Sequence, residues 1–263
     1  MKTLMYLIVS LAASVAGAIC GIGGGVIIKP VLDLFRVASV STISFLSGCT
    51  VLAMSSYSVT RNLTSGESRI ALKTGTPLAI GAVLGGIAGK QLFSVVKAMF
   101  EDPNTVGAVQ AACLAAVTVA TLVYTLLKSR IRTHEVKNPV LCVLIGFFLG
   151  MMSSFLGIGG GPINLVVLFY FFSMDSKTAA QNSLYIILFS QIASLLTTLV
   201  TRSVPPFEWL ALILMVAGGI GGGIAGRAVN RRMDYRAVDR LFIALMAVIN
   251  LISIFNAYRF AMA

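Results

Sequence analysis

The pentapeptide Gly-Ile-Gly-Gly-Gly occurs twice in this chain, at residues 21–25 and 157–161. Each copy follows a long apolar stretch and precedes a shorter one. Glycine lets the backbone leave a helix, and backbone released at membrane depth is tolerated only where protein buries it or where it lines a cavity. Each copy therefore predicts a broken membrane helix with a functional site at the break.

Similarity between the two halves extends beyond these glycines. Ser47 and Ser183 keep the 136-residue spacing of the two pentapeptides, and Gly-Gly-Ile-Ala-Gly followed by a basic residue recurs at 85–90 and 222–227. Two shared strings in register are hard to ascribe to chance, so we predict a duplicated unit. Its parts are a first transmembrane repeat at 1–130, a basic cytoplasmic linker at 131–137 and a second transmembrane repeat at 138–263.

Apolar stretches fill most of the chain. Hydrophobic residues account for 57% of it and charged residues for 11%, against about 25% charged residues in soluble domains. One membrane span needs about 20 apolar residues. Stretches of that order occur at 4–20, 39–60, 74–95, 106–127, 139–156, 180–200, 207–226 and 239–257, with shorter arms at 26–36 and 163–173. We predict an all-α polytopic integral membrane protein.

The distribution of basic residues distinguishes two topologies. Eight simple crossings would place ten Lys and Arg residues on one side of the membrane and nine on the other. If each glycine-broken element instead returns to the side it entered from, the division is six against thirteen, which the positive-inside rule favours. Each repeat then contains a re-entrant hairpin and three transmembrane helices, the repeats are inverted, and both termini lie outside.

A short helix is expected after each glycine string. A helix that begins inside the membrane presents free N–H groups and the positive end of its dipole, so two such starts that meet would form an anion pocket. Nearby hydroxyl and amide side chains can bind anion oxygens. The predicted substrate-binding residues are Gly21, Gly23, Gly24, Gly25, Lys29, Ser47, Gly157, Gly159, Gly160, Gly161, Asn164, Gln181, Asn182 and Ser183.

Lys29 is the one basic residue placed inside an apolar element, where a charge costs about 2.5–3.5 kcal/mol. It either contacts the substrate or has a structural role, in which it pairs with Asp33, four residues later on the same helix face, or extends to a near membrane surface. Its counterpart in the second repeat is Leu165, so the predicted site is asymmetric. Asp33 is also the one carboxylate in a broken element that could couple transport to protons.

The sequence does not indicate an enzyme. The single histidine, His134, lies in the linker, and the glycine strings do not complete a dinucleotide-binding motif because Val26 and Pro162 occupy its last position. No metal or cofactor is expected. Nucleic acid is not expected either, since the net charge of +11 comes mostly from the connections between spans. The expected partners are a small anionic substrate and the lipid bilayer, with homodimerisation left open.

The first twenty residues have features of a secretory signal. Residues 137–156 fill the same place in the second repeat, in the middle of the chain, so we expect residues 1–20 to be retained.

Three sequence features carry a family resemblance. They are the paired pentapeptides, the string Lys29-Pro30-Val31-Leu32 after the first of them, and Gly-Gly-Ile-Ala-Gly before a basic residue. These features resemble the TauE/SafE (TSUP) family of membrane anion transporters. The resemblance covers essentially the whole chain. It implies a permease for sulfite, thiosulfate, sulfoacetate or other sulfonates in a cytoplasmic membrane, outward in many members, with the glycine strings lining the translocation site. The second copy departs from the pattern, because Val166 stands where Pro30 does.

We therefore expect a secondary transporter in the cell membrane of a prokaryote that carries small sulfur-containing anions by rocking of one repeat against the other. A passive anion channel, a transporter for another small organic anion and a membrane scaffold are the alternatives.

Overall fold

The computed structural model describes residues 2–66, 68–100, 103–158 and 160–262. Within these ranges the regular structure is all helical, which confirms the predicted all-α class. In the part of the chain that the structure describes, eight helices are long and apolar enough to cross a membrane. The helices are α1 (Lys2–Cys20), α2 (Gly25–Leu34), α3 (Val40–Thr64), α4 (Leu72–Met99), α5 (Pro103–Leu127), α6 (Pro139–Leu156), α7 (Pro162–Phe172), α8 (Ser176–Val200), α9 (Trp209–Arg232) and α10 (Tyr235–Ala261).

Side-chain caps start several helices where the chain leaves a loop. Asn138, Asp175 and Asp234 precede α6, α8 and α10, and their side-chain oxygens accept backbone N–H groups of the first turn. Such caps satisfy donors that have no partner within the helix. Gly24 and Gly161 precede α2 and α7 and give no side-chain hydrogen bond. The two helix starts at the glycine breaks are therefore uncapped by side chains.

The helices alternate in direction. Lys128, after α5, and Ser176, which begins α8, both contact Asp239 near the start of α10, at the end of the bundle that we call the linker end. At the opposite end, Arg259 near the end of α10 donates a hydrogen bond to the Leu34 carbonyl that ends α2. The element α1–α2 therefore begins and ends at the opposite end, and α6–α7 begins and ends at the linker end.

The first hairpin has one long arm and one short arm. The 19 residues of α1 extend about 28 Å. Asn230, close to the linker end of α9, donates a hydrogen bond of 2.6 Å to the Ile19 carbonyl, so α1 crosses nearly the whole bundle. The chain then folds back sharply, and Gly24 lies beside Ser14 of α1. The start of α2 is thus held well inside the bundle.

Glycine stripes on α4 and α9 pack against the hairpin of the other repeat. Gly85 lies against the Phe147 carbonyl of α6, and Gly222 lies against the Leu11 carbonyl of α1, both too close for a side chain. Small residues at four-residue spacing permit this close approach. The two repeats are consequently intertwined.

Candidate functional site

The two glycine breaks contact each other inside the bundle. A Cβ atom on Gly25 would overlap the Ile158 carbonyl oxygen, and one on Gly161 would lie 3.3 Å from the Ile22 carbonyl oxygen. Ile22 and Ile158 are both fully buried. The starts of α2 and α7 therefore lie side by side, as a shared anion pocket requires.

Left-handed glycines end the long arm of each hairpin. Gly21 has a φ of +76° and Gly157 a φ of +66°, a region that side-chain-bearing residues rarely adopt. Gly21 also lies against Ala180 of α8, and Gly157 against Ser44 of α3. Glycine is required at both positions by backbone conformation and by space. Positive φ angles also occur at Gly23, Gly160 and Gly161, whereas Gly159 lies outside the described residues.

Two predicted site residues, Ser47 and Asn164, lie beside glycines of the breaks. A third, Ser183, lies on α8 between Ala180, which contacts Gly21, and Ile187, which contacts Gly160. Ser47 Oγ lies 2.9 Å from the place where a Cβ on Gly25 would stand. Ser47, Ser183 and Asn164 are buried. The hydroxyl oxygens of the two serines and the Oδ1 atom of Asn164 have no hydrogen-bond partner among the described residues. A buried polar atom without a partner costs about 1–3 kcal/mol, so such atoms commonly mark a place where water or a ligand binds.

Gln181 and Asn182 lie further away and have another use. Asn182 Oδ1 accepts a hydrogen bond from Ala71 N at 3.0 Å, and its Nδ2 donates to the carbonyls of Arg69 and Thr178. Gln181 Oε1 accepts from Arg69 N at 2.8 Å. Both amides fasten the α3–α4 connection to α8 at the linker end. The contacts of Asn182 thus leave no polar atom of that side chain for a substrate.

Lys29 pairs with Asp33. The distance from Lys29 Nζ to Asp33 Oδ2 is 2.9 Å, and the two side chains are 4% and 6% exposed. Of the two hypotheses for Lys29, the structure shows the ion pair. The pair faces α5 and α10, where Gln110, Ser253 and Asn256 line the same small cavity.

Two polar vestibules lead into the bundle from opposite ends. The linker-end vestibule has a volume of about 40 Å³, and its lining includes Ala18, Ser58, Asn62, Ala180, Gln181 and Arg227. The opposite-end vestibule has a volume of about 20 Å³, and its lining includes Ser44, Lys90, Gln110, Ser154, Ser194 and Thr198. The second also includes Gly157 of the second glycine break.

Residues that line the two vestibules are related by the same spacing that relates the two pentapeptides. A spacing of 136 residues relates Ala18 to Ser154 and Ser58 to Ser194, and the same spacing relates the pairs Asn62–Thr198 and Ser44–Ala180. Lys90 and Arg227 are related by 137 residues. Corresponding residues thus line cavities at opposite ends of the bundle. Lys90 of the first half lines the opposite-end vestibule, and Arg227 lines the linker-end vestibule together with Lys177 and Arg231 of the second half.

The two cations differ in how they are held. Arg227 donates to Asn62 Oδ1 at 2.9 Å, to Ser65 Oγ at 2.8 Å and to the Arg61 carbonyl at 3.2 Å. Lys90 Nζ lies 5.3 Å from the centre of the Phe93 ring, and no described carboxylate forms an ion pair with it. Arg227 is therefore fixed to the end of α3, whereas the Lys90 ammonium remains available to an anion.

Both vestibules are closed to a substrate in this conformation. Volumes of about 40 and 20 Å³ hold only a few water molecules, whereas ligand pockets usually measure about 300–1,000 Å³. Passage of an anion therefore requires one vestibule to widen.

Sequence reasoning missed the vestibule residues as a set. Ser58, Ser154, Ser194 and Lys90 are far apart in the chain and come together only through helix packing. The missed signal is the 136-residue spacing itself, which relates polar positions on α3 and α8 just as it relates the glycines.

Comparison with known proteins agrees with this architecture. The profile of the family described as sulfite exporter TauE/SafE matches residues 6–252. The chain belongs to the TauE/SafE family. The resemblance found in its motifs is confirmed, and the apolar helices of spanning length among the described residues agree with a multi-pass membrane protein.

Two similar TauE/SafE-type chains are described as transporters. Probable membrane transporter protein YunE of Bacillus subtilis (strain 168) is 28% identical over 96 residues, which cover 36% of this chain and 34% of that protein. Probable membrane transporter protein MamO of Magnetospirillum gryphiswaldense is 26% identical over 118 residues, 43% of this chain and 19% of that protein. The matches span about a third and about a fifth of those relatives. No solved structure matches this chain.

Proposed function

We propose that this TauE/SafE protein is a secondary transporter that moves small sulfur-containing anions, such as sulfite, thiosulfate or organosulfonates, across the cytoplasmic membrane of a prokaryote. The observation that carries the proposal is the contact between the two glycine breaks, with equivalent polar vestibules leading toward them from opposite ends. Membership of a family described by sulfite export supports the substrate class.

The paired helix starts supply positive potential without a mobile charge. Each helix N-terminus carries the equivalent of roughly +0.5 elementary charge, so two adjacent starts offset about one negative charge. Ser47, Ser183 and Asn164 offer further contacts to oxyanion oxygens. Such neutral ligands allow release, because no fixed cation has to be separated from the anion at the breaks.

Alternating access follows from inverted repeats in this proposal. An anion would enter the opposite-end vestibule beside Lys90, reach the breaks, and leave through the linker-end vestibule beside Arg227, or pass in the reverse direction. Because the glycine seams join α4 to α6 and α9 to α1, we propose that the short arms α2 and α7 move while the seams stay closed. A homodimer stays a prediction.

Binding and exchange test this proposal. Purified protein is heated with sulfite, thiosulfate, sulfoacetate, phosphate, acetate or chloride, and the midpoint of thermal unfolding is compared with that of the anion-free protein. An anion at one hundred times its dissociation constant adds about 2.7 kcal/mol to the folded state. We expect a sulfur anion to raise the midpoint more than phosphate, acetate or chloride does.

Counterflow separates a carrier from a channel. Vesicles that contain the protein and unlabelled thiosulfate should transiently accumulate labelled thiosulfate from outside, with a rate that saturates. Conductance without counterflow would indicate an anion channel, and stabilisation by acetate alone would indicate a transporter for another organic anion.

A further inference from the structure

The Lys29–Asp33 pair leaves one carboxylate oxygen unused. Asp33 Oδ2 accepts from Lys29 Nζ, while Asp33 Oδ1 is buried and has no hydrogen-bond partner among the described residues. An ionised carboxylate oxygen without a donor is costly at this depth. The arrangement therefore lacks one hydrogen-bond donor.

The neighbouring amide groups donate their hydrogen bonds elsewhere. Asn256 Nδ2 donates to the Pro30 carbonyl at 2.8 Å, and Gln110 Nε2 donates to the Phe155 carbonyl at 2.6 Å. What remains around the cavity are Gln110 Oε1 and Ser253 Oγ, both buried and without partners. The cavity measures about 10 Å³, close to the space that one water molecule needs.

Stability does not explain this ion pair. A buried ion pair seldom stabilises a protein more than apolar residues of similar size. The second hairpin forms the same kind of turn with Leu165 and Phe169 at the corresponding positions. A structural role would have been filled equally well by apolar residues in the first hairpin.

We propose that Asp33 is the proton-coupling site of this transporter, an inference that rests on the proposed transport function. A proton adds to Asp33 Oδ1, and the new O–H donates to Gln110 Oε1, to Ser253 Oγ or to a water between them. Asp33 becomes neutral, its bond with Lys29 becomes a charge–dipole contact, and the first hairpin gains one positive charge. No covalent bond other than the O–H bond is made.

The gained charge links the proton to the anion. Asp33 and Lys29 lie on α2, whose N-terminus forms half of the proposed anion pocket. Extra positive charge on this helix favours an anion at its start, and a bound anion favours retention of the proton. Proton and anion therefore move in the same direction.

The charged surroundings suit a proton better than a metal cation. Lys29 contacts Asp33 directly, while Arg36 and Arg259 lie at the end of α2, where Arg259 bonds to the Leu34 carbonyl. The α5 and α10 residues that line the cavity are uncharged, namely Gln110, Ala111, Leu114, Ser253 and Asn256. A metal cation would be repelled by the adjacent ammonium and would find few oxygen ligands.

The test uses full-length protein in vesicles with the membrane potential clamped and labelled thiosulfate as the probe, since thiosulfate stays ionised near neutral pH. Thiosulfate exchange at equal pH needs no net proton movement. Net accumulation driven by a pH gradient of one unit, with the acid side outside, does need net proton movement. With one proton per anion, the concentration of thiosulfate inside can reach about tenfold that outside. A pH dye inside the vesicles records the accompanying protons.

We expect wild type to show exchange, accumulation and proton entry. D33N should keep exchange within about threefold of wild type and lose pH-driven accumulation. The matched control D239N removes a carboxylate that pairs with Lys128 at the linker end, and it should keep both activities. S253A should keep exchange and shift the pH at which accumulation is half-maximal, which decides the matter if D33N does not fold.

Failure of the two proposals can be told apart. A wild type without thiosulfate exchange would overturn the transport proposal together with this inference. The proton site alone would be overturned by exchange without proton entry, or by accumulation in D33N equal to that in D239N. If D33N does not fold, an unchanged pH profile in S253A would overturn it. Accumulation that follows a sodium gradient in place of the pH gradient would also overturn it.

Discussion

The two hairpins have similar backbones and different chemistry. In both, a long arm ends at a left-handed glycine and a short helix begins beside the other hairpin. The first short helix, α2, contains Lys29, Pro30 and Asp33, whereas the second, α7, has Leu165, Val166 and Phe169 at those positions. The vestibules show a similar contrast, because Arg227 is tied to α3 while Lys90 is not.

This difference separates what forms the pocket from what drives transport. Features common to both hairpins are the glycines and the uncapped helix starts, which would hold the anion. Features found in one hairpin are the ion pair and its partners on α5 and α10, which would supply energy coupling. In the proposed function, the features shared by the two halves form the site and the features of the first half alone make it asymmetric.

The largest expected effect comes from a side chain at the contact between the breaks. Gly25→Ala places a Cβ against the Ile158 carbonyl, and overpacking of this kind costs about 1–3 kcal/mol. We expect at least a roughly tenfold loss of thiosulfate counterflow in reconstituted vesicles. Gly75→Ala is the matched control, since its Cβ would be 3.5 Å from the nearest atom and should leave counterflow near wild type. Normal flux in Gly25→Ala would remove the contact from the transport path.

The ion pair can be converted to the residues of the second hairpin. Lys29→Leu alone leaves Asp33 as an unpaired buried charge and should lower the free energy of unfolding by about 3–5 kcal/mol. The double variant K29L/D33F copies the second hairpin and should recover most of that loss. Denaturant unfolding in detergent measures both. A double variant as unstable as the single one would show that the pair has a structural role.

The vestibule cations should separate binding from stability. Lys90→Met removes a charge without breaking a hydrogen bond to a described residue, so anion-induced stabilisation should shrink while the anion-free unfolding midpoint changes little. Arg227→Met breaks contacts to Asn62 and to the end of α3 and should cost about 1–3 kcal/mol of stability. Thermal unfolding with and without thiosulfate compares them. Equal behaviour of the two variants would contradict the claim that Arg227 is fixed by hydrogen bonds while the Lys90 ammonium is available to an anion.

The smallest effect concerns the cap of α8 at the linker end. Burial raises the pKa of the Asp175 carboxyl, but hydrogen bonds from Thr178 and Lys177 and the charge of Arg69 outweigh it and hold that pKa below its usual value. The resulting stabilisation is present above the ordinary carboxyl range and is lost as the pH falls through the lower, folded-state pKa. Asp175→Ala should cost about 1 kcal/mol near pH 7 and less below pH 3. A loss independent of pH would exclude the charge as its source.

The sequence was informative about the helices and the breaks because both depend on local patterns. Apolar length predicted the spans, and the repeated glycines predicted two helix starts that lie together. Asn182 was assigned to the site because it is an amide near the start of an apolar segment, yet its side chain hydrogen-bonds the α3–α4 connection. Polar residue type alone does not reveal which partner uses the side chain.

Tertiary packing accounts for what sequence did not reveal. The pairing of α4 with α6 and of α9 with α1 exchanges helices between repeats, and no periodicity encodes that choice of partner. Lys90 stands near the end of an apolar stretch, where the sequence gives no sign that it lines a cavity. Only the approach of α3, α6 and α8 makes it part of a vestibule.

The central claim is that equivalent vestibules open to opposite sides of the membrane. A membrane-impermeant thiol reagent reports directly which side each vestibule opens to. The four native cysteines, Cys20, Cys49, Cys113 and Cys142, are replaced first, and Ala18→Cys and Ser154→Cys are then introduced singly. We expect Cys at 154 to react in right-side-out vesicles and Cys at 18 to react in inverted ones, with thiosulfate changing both rates. Reaction of both positions from the same side would contradict the inverted arrangement and the transport mechanism built on it.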